Sequence, residues 1–136
     1  MKKNILYKFF VVCILSFTAI IFVACGGSSS AKIDYNLASK GDNFTYSTVV
    51  NMQSKPQGYI GSTFKIRGKL QSGGGDCRYL TGYDAESCCN WSIEVKLQNS
   101  SMEFPANNKT VCVVGDYKYY KNSGITHYYL EINEFV

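Results

Sequence analysis

Six cysteines and a single histidine carry the most reactive side chains of this 136-residue chain. Cys13 lies inside an uncharged apolar run and acts there as a small apolar residue. Cys25 follows the small Ala24 at the end of that run. The other four are Cys77, Cys88, Cys89 and Cys112. Outside a reducing cytoplasm, an even set of four is read first as two disulfides. A Cys88–Cys89 bridge between neighbours would be strained, and in a strand their side chains would point to opposite faces. The two remaining connectivities each join one member of the pair to Cys77 and the other to Cys112. Closing loops in this way within the roughly 36 residues from Cys77 to Cys112 contributes about 3–4 kcal/mol per bridge in the chain-entropy picture.

The alternative chemistry is a metal site, with Cys88 and Cys89 joined by Cys77, Cys112 or His127. Soft thiolates suit zinc or Cu(I). The adjacent pair lacks the usual C-x₂₋₄-C spacing, and the chain has no C-x-x-C for redox work. His127 otherwise reads as an ordinary outward-facing strand residue. Catalysis has no constellation to support it. The one histidine belongs to no Ser-His-Asp grouping that the sequence places. Asp84, Glu86 and Glu94 would need an enclosing pocket, which a domain this small rarely builds. The expectation is therefore a non-enzymatic protein with no cofactor.

The formal charge of +4 is set by the first residues. Lys2, Lys3 and Lys8 precede the uncharged run from Phe9 to Ala24; without them 11 basic residues face 10 acidic ones. Such a balance offers no basic face for nucleic acid, and no nucleic-acid partner is expected. Basic residues followed by an apolar run form the n-region and h-region of a secretory signal. The run has 16 residues, short of the ~20 that span a bilayer core.

The stretch Phe22-Val23-Ala24-Cys25 resembles a bacterial lipobox, with Phe22 standing where leucine is usual. The resemblance implies lipidation of the Cys25 sulfur, cleavage before it and acylation of its new amino group. Buried acyl CH₂ groups contribute about 0.8 kcal/mol each, and more than one chain gives stable attachment. Residues 1–24 are then the signal peptide of a lipoprotein. The working domain would sit outside the cytoplasm, held by Cys25 at the cell membrane or outer membrane. Gly26 follows, with no aspartate there to suggest retention at the inner of two membranes.

Residues 25–43 read as the lipidated cysteine and a flexible tether, opening on Gly26-Gly27-Ser28-Ser29-Ser30. A docked edge strand over Ile33–Leu37 is the alternative for its later part. Residues 44–136 read as the folded domain. Eleven Tyr and eight Phe suit pleated, half-buried surfaces, so the class is all-β with a small α contribution. Phe44–Lys55 is read as a short helix. Tyr46, Val49, Val50 and Gln53 follow its i, i+3, i+4 spacing, with Asn43 as N-cap and Pro56 as stop. Five strands follow: Gly61–Leu70, Cys77–Asp84, Trp91–Leu97, Thr110–Tyr120 and Ile125–Val136. Lys65, Arg67 and Lys69 share the outer face of the first, and Gly68 suggests a bend in it. The glycine run at 73–75 lacks the Lys-Ser or Lys-Thr and the helix of a P-loop, so it reads as a hairpin turn. Met102 and Phe104, in the loop after the third strand, are placed beneath the core. Open ends would leave sheet edges unpaired, so closure into a small barrel is expected.

These five strands look like an OB-fold. Two segments, Pro56-Gln57-Gly58-Tyr59-Ile60-Gly61-Ser62-Thr63-Phe64-Lys65-Ile66-Arg67-Gly68 and Asp84-Ala85-Glu86-Ser87-Cys88-Cys89, resemble a group of uncharacterised bacterial OB-like domains. That group joins a P-x-x-Y-x-G opening to a D-A-x-x-C-C step, and many of its members are small lipoproteins. A similar Cys-Cys step occurs in a permease family associated with metal homeostasis. The likeness runs from about Thr45 to the end and implies a five-stranded OB-like barrel preceded by a short helix. OB barrels bind across strands 2 and 3 and the flanking loops. Here that face would offer Arg78, Tyr79, Tyr83, Lys96 and the loop around Asn99.

The leading expectation is thus a lipid-anchored domain that binds an envelope protein or a glycan without catalysis. A thiolate metal-handling lipoprotein and a disulfide-stapled structural envelope protein are the two alternatives.

Overall fold

The computed structural model describes residues 32–136. The segment read as a signal peptide, Cys25 and the start of the segment read as a tether lie outside the described residues. The rest is mostly β with one helix. The order is β1 (Tyr35–Asn36), α1 (Asp42–Ser54), a 3₁₀ turn (Pro56–Gly58), β2 (Thr63–Ser72), β3 (Arg78–Tyr83), β4 (Asn90–Leu97), β5 (Thr110–Asn122) and β6 (Ile125–Phe135). None of the described helices is long and apolar enough to cross a membrane.

The six strands form one sheet in the order β1-β2-β3-β4-β6-β5, and β5 pairs again with β2. The sheet therefore partly closes on itself. Four of the long-strand pairings are antiparallel, while β4 and β6 run parallel, with Glu94 opposite Tyr129 and Leu97 opposite Ile132. A two-residue turn joins β5 to β6. Ser123 and Gly124 both have positive φ, at 50° and 81°, the pattern that matches the twist of a tight hairpin.

Alternation along the strands supplies the core. Phe64, Ile66 and Leu70 from β2, Leu80 from β3, Ile93 and Val95 from β4, Val113 and Tyr117 from β5, and Leu130 and Ile132 from β6 are all buried. Truncating one such aliphatic side chain typically costs about 2–5 kcal/mol. Met102 and Phe104 pack against this cluster, as the sequence suggests. Register slips between Val114 and Gly115. The glycine lets β5 approach β6 there, since a Cβ on Gly115 would lie 2.5 Å from the Glu131 carbonyl oxygen.

The helix forms where expected, but its buried face differs. Thr45, Thr48, Val49 and Met52 face inward, whereas Val50 is exposed. The face is set by the sheet beneath it. Tyr117 reaches from β5 to donate its hydroxyl to the Met52 carbonyl oxygen at 3.2 Å. The residue before the helix is Gly41, and no side chain caps it. Asn43 instead points at the β3–β4 turn, where its Oδ1 accepts the Ala85 N–H at 2.9 Å.

The later part of the segment read as a tether is docked. Tyr35 and Asn36 pair in parallel with Phe64 and Lys65. Leu37 is buried. Tyr35 stacks on Phe64 with ring centroids 4.7 Å apart, and the Asp34 carboxylate accepts the Thr63 N–H at 3.0 Å. Two aromatic and aliphatic side chains three residues or fewer apart thus hold the chain to the free edge of β2.

Gly68 does not mark a break in β2, whose pairing with β5 runs unbroken from Thr63 to Lys69. It clears space instead. Cβ atoms on Gly68 and Gly82 would lie 2.9 Å and 2.5 Å from the indole of Trp91. The two glycines, on adjacent strands, admit the largest side chain of β4.

Candidate functional site

Three surface features carry polar or reactive groups, and the sheet positions each of them.

The first is the turn between β3 and β4. The Asp84 N–H donates to the Cys89 carbonyl at 2.9 Å and the Ser87 N–H to the Asp84 carbonyl at 3.0 Å. Asp84 Oδ1 accepts the backbone N–H groups of Cys88 and Cys89 at 3.0 and 3.2 Å. Its other oxygen accepts the Cys88 thiol at 3.1 Å. Ser87 takes a left-handed φ of 56°, which folds the chain back over the carboxylate. Cys88 and Cys89 precede β4, so strand alternation does not separate them, and their Sγ atoms lie 3.4 Å apart. Both residues are exposed free thiols.

Charge in this turn follows from its hydrogen bonds. The thiol and the backbone N–H groups hold the Asp84 carboxyl below its usual range. The Asp84 carboxylate, and then Cys89, push the Cys88 thiol up to about 11. The hydroxyl of Tyr46, on α1, is raised first by the charge of Cys89 and then by burial. The helix therefore supplies both Asn43 and Tyr46 to the surroundings of the turn.

The second feature is the outer face of β3, β4, β5 and β6. Lys96 Nζ lies 3.5 Å from the ring centroid of Tyr120 and 4.8 Å from that of Tyr129. The Tyr120 hydroxyl donates to Glu94 at 3.2 Å, and Glu94 Oε1 lies 3.5 Å from Lys96 Nζ. His127 stacks on Tyr120 with centroids 4.9 Å apart. Tyr79 stands opposite Glu94 across the β3–β4 pairing. Burial raises its hydroxyl first, followed by the charges of Cys77 and Glu94. Burial, then Glu94, does the same for Tyr120. Gly73 gives the Tyr79 ring its place, since a Cβ there would lie 2.3 Å from it.

The third feature is a cleft of about 320 Å³ above Trp91, Gly68 and Gly82, with Arg67, Lys69, Lys40 and Tyr83 among its walls. Nothing in the alternation of single strands announces it. The signal was the coincidence of Gly68, Gly82 and Trp91 on three neighbouring strands.

The expected site residues distribute among these features. Tyr79 and Lys96 share the outer face. Arg78 and Tyr83 do not join them. Arg78 turns toward Phe104, its guanidinium 6.0 Å from that ring, and Tyr83 sits at the far end of β3 beside the cleft. His127 belongs with Tyr120 rather than with thiols. Cys112 lies on β5 opposite Arg67, with β2 and β3 between it and β4 on one side and β6 on the other. Cys77 and the Cys88–Cys89 pair flank opposite ends of β3. Six residues at about 3.3 Å each put roughly 20 Å between them, against the ~7 Å limit on Cα separation for a disulfide. The register thus holds the pair apart from both expected partners, and no disulfide joins any of the four in this structure. The candidate ligand that sequence reasoning missed is Asp84. Among the described residues the one convergent metal-ligating group is Asp84, Cys88 and Cys89, whose ligand atoms lie within 4.8 Å of one another. The D-A-x-x-C-C spacing contained that signal.

The chain matches no known family model, no curated protein and no solved structure.

Proposed function

We propose that the chain is a membrane-anchored lipoprotein whose C-terminal domain is a non-enzymatic, OB-like binding unit for an envelope protein or glycan. The anchor rests on the sequence Phe22-Val23-Ala24-Cys25 after an apolar run. The OB-like reading rests on the strand order β2-β3-β4-β6-β5, the return pairing of β5 with β2 and the parallel β4–β6 pair. Five such strands, each with two neighbours, form a small barrel with α1 outside it. Binding then falls on the face of β3 and β4 with its flanking loops.

One observation carries the choice of face: Lys96 stands over the rings of Tyr120 and Tyr129 with Glu94 beside it. Aromatic rings with a paired acid and base present both stacking surface and hydrogen-bonding groups. Aromatic side chains in such a setting recur as interface anchors. The test is binding of the detergent-solubilised chain to glycan arrays and to solubilised envelope fractions, with Tyr120→Ala as the comparison. A partner retained by the native chain and lost by the variant supports the reading. Empty results from both screens remove its basis.

A further inference from the structure

We infer that Asp84, Cys88 and Cys89 form a three-ligand zinc site on the β3–β4 turn, separate from the aromatic face. Four features lead there. First, the geometry suits tetrahedral coordination. With Zn–S near 2.3 Å, two thiolates on one zinc ion stand about 3.8 Å apart, and these sulfurs are at 3.4 Å. A small opening of the pair accommodates the ion. A linear two-thiolate arrangement, as for Cu(I), would need a wider separation, and a carboxylate is a hard ligand ill suited to that ion.

Second, the ligands are held in place before metal arrives. Asp84 is fixed by two backbone N–H groups through Oδ1. This leaves Oδ2, the oxygen now bonded to the Cys88 thiol, to face the sulfurs. Zinc would replace the thiol proton between the same two atoms. Third, the turn is braced from outside by Asn43, which accepts the Ala85 N–H. Fourth, both cysteines are exposed, so an ion has a path in from solvent. Three protein ligands leave the fourth position to water or to a donor from another molecule. That is the form of an exchangeable site rather than of a closed structural one.

Binding requires both thiols to lose their protons to solvent, two protons released per zinc ion taken up. The ligand set differs from the one the sequence suggests. Asp84 takes the third position in place of Cys77, Cys112 or His127, which the sheet keeps elsewhere.

The experiment uses the full chain in detergent, reduced with a phosphine and stripped of metal, with Cys77 and Cys112 changed to serine. Zinc is titrated against a chromophoric chelator, and cobalt(II) serves as a spectroscopic probe. The expected result is one zinc per chain and a thiolate-to-cobalt charge-transfer band in the near ultraviolet. Asp84→Asn should weaken zinc by at least roughly tenfold, the scale on which even outer-sphere partners act. Cys88→Ser with Cys89→Ser should abolish the band while leaving metal-free thermal unfolding unchanged, because both side chains are exposed. No saturable zinc binding, no charge-transfer band, or zinc affinity untouched by Asp84→Asn would overturn the site. None of these outcomes alters the aromatic face, so the two proposals fail separately.

Discussion

Trp91 lies over Gly82 so closely that a Cβ on the glycine would sit 2.5 Å from Cζ2 of the indole. The backbone of β3 is thus the floor on which the one tryptophan of the chain rests, and the cleft above it exists because two glycines leave room. Alanine at Gly82 must displace a ring packed among β2, β3 and β4. Overpacking of this kind typically destabilises by about 1–3 kcal/mol. Urea unfolding of Gly82→Ala should show a loss in that range, with intrinsic tryptophan emission shifted toward that of a more solvated ring. Alanine at Gly74, where a Cβ meets nothing within 4 Å, should change stability little.

The separation of Cys77 and Cys112 from the Cys88–Cys89 turn makes a second prediction. If none of these pairs is bridged, Cys77→Ser and Cys112→Ser should each change unfolding free energy by no more than about 1 kcal/mol, as for other partly exposed sites. Unfolding with and without reductant should coincide. A loss of about 3–4 kcal/mol on reduction, the size expected of a long-loop disulfide, would contradict the register described for β2, β3 and β5.

Tyr117 gives the fold an alkaline weakness. Burial pushes its hydroxyl from 10.0 up to about 12. The unfolded chain therefore releases this proton first as pH rises. The full contribution is present below pH 10 and is lost between about pH 10 and pH 12, on the order of 2 kcal/mol. Tyr117→Phe removes the titrating group and should flatten that arm of the stability curve. At neutral pH it should cost about 1 kcal/mol for the lost bond to the Met52 carbonyl. Equal alkaline slopes in both proteins, followed by denaturant titration at stepped pH, would contradict the burial of this residue.

The outer face permits a test in which binding and folding separate. The side chain of Lys96 is 42% exposed, and a cation over a ring at such a site contributes about 0.5–1 kcal/mol. Lys96→Ala should therefore melt close to the native protein. If the face is the binding surface, the same variant should lose affinity for whichever glycan or envelope protein the native chain retains. Binding unchanged in both Lys96→Ala and Tyr120→Ala would move the site elsewhere.

Strand alternation made most of this fold legible. Phe64, Ile66 and Leu70 against Lys65, Arg67 and Lys69, and Trp91, Ile93 and Val95 against Ser92, Glu94 and Lys96, place β2 and β4 with their inner faces correct. What alternation does not hold is the relation between strands. The helix face was misplaced by one residue because Thr45 and Thr48 are polar by type, yet both are buried against the sheet. For Tyr35 and Leu37 the sequence offers both a tether and a docked edge strand, and stacking on Phe64 and the free edge of β2 decide for the strand. Cys88 and Cys89 were assigned opposite faces by extending β4 backward two residues, past the point where the Asp84 carboxylate takes over their N–H groups. In the first two cases a long-range contact outweighed the local pattern; in the third a side-chain-to-backbone turn replaced the strand.

We propose that Cys25 holds this domain at a membrane. This is tested most directly by metabolic labelling with a clickable fatty acid in a bacterial host, comparing the native chain with Cys25→Ser. Label and membrane fractionation are expected for the native chain, with a mature protein beginning at Cys25, and neither label nor cleavage at that position for the variant. A Cys25→Ser chain that is still lipidated, or a native chain that carries no lipid, would contradict it.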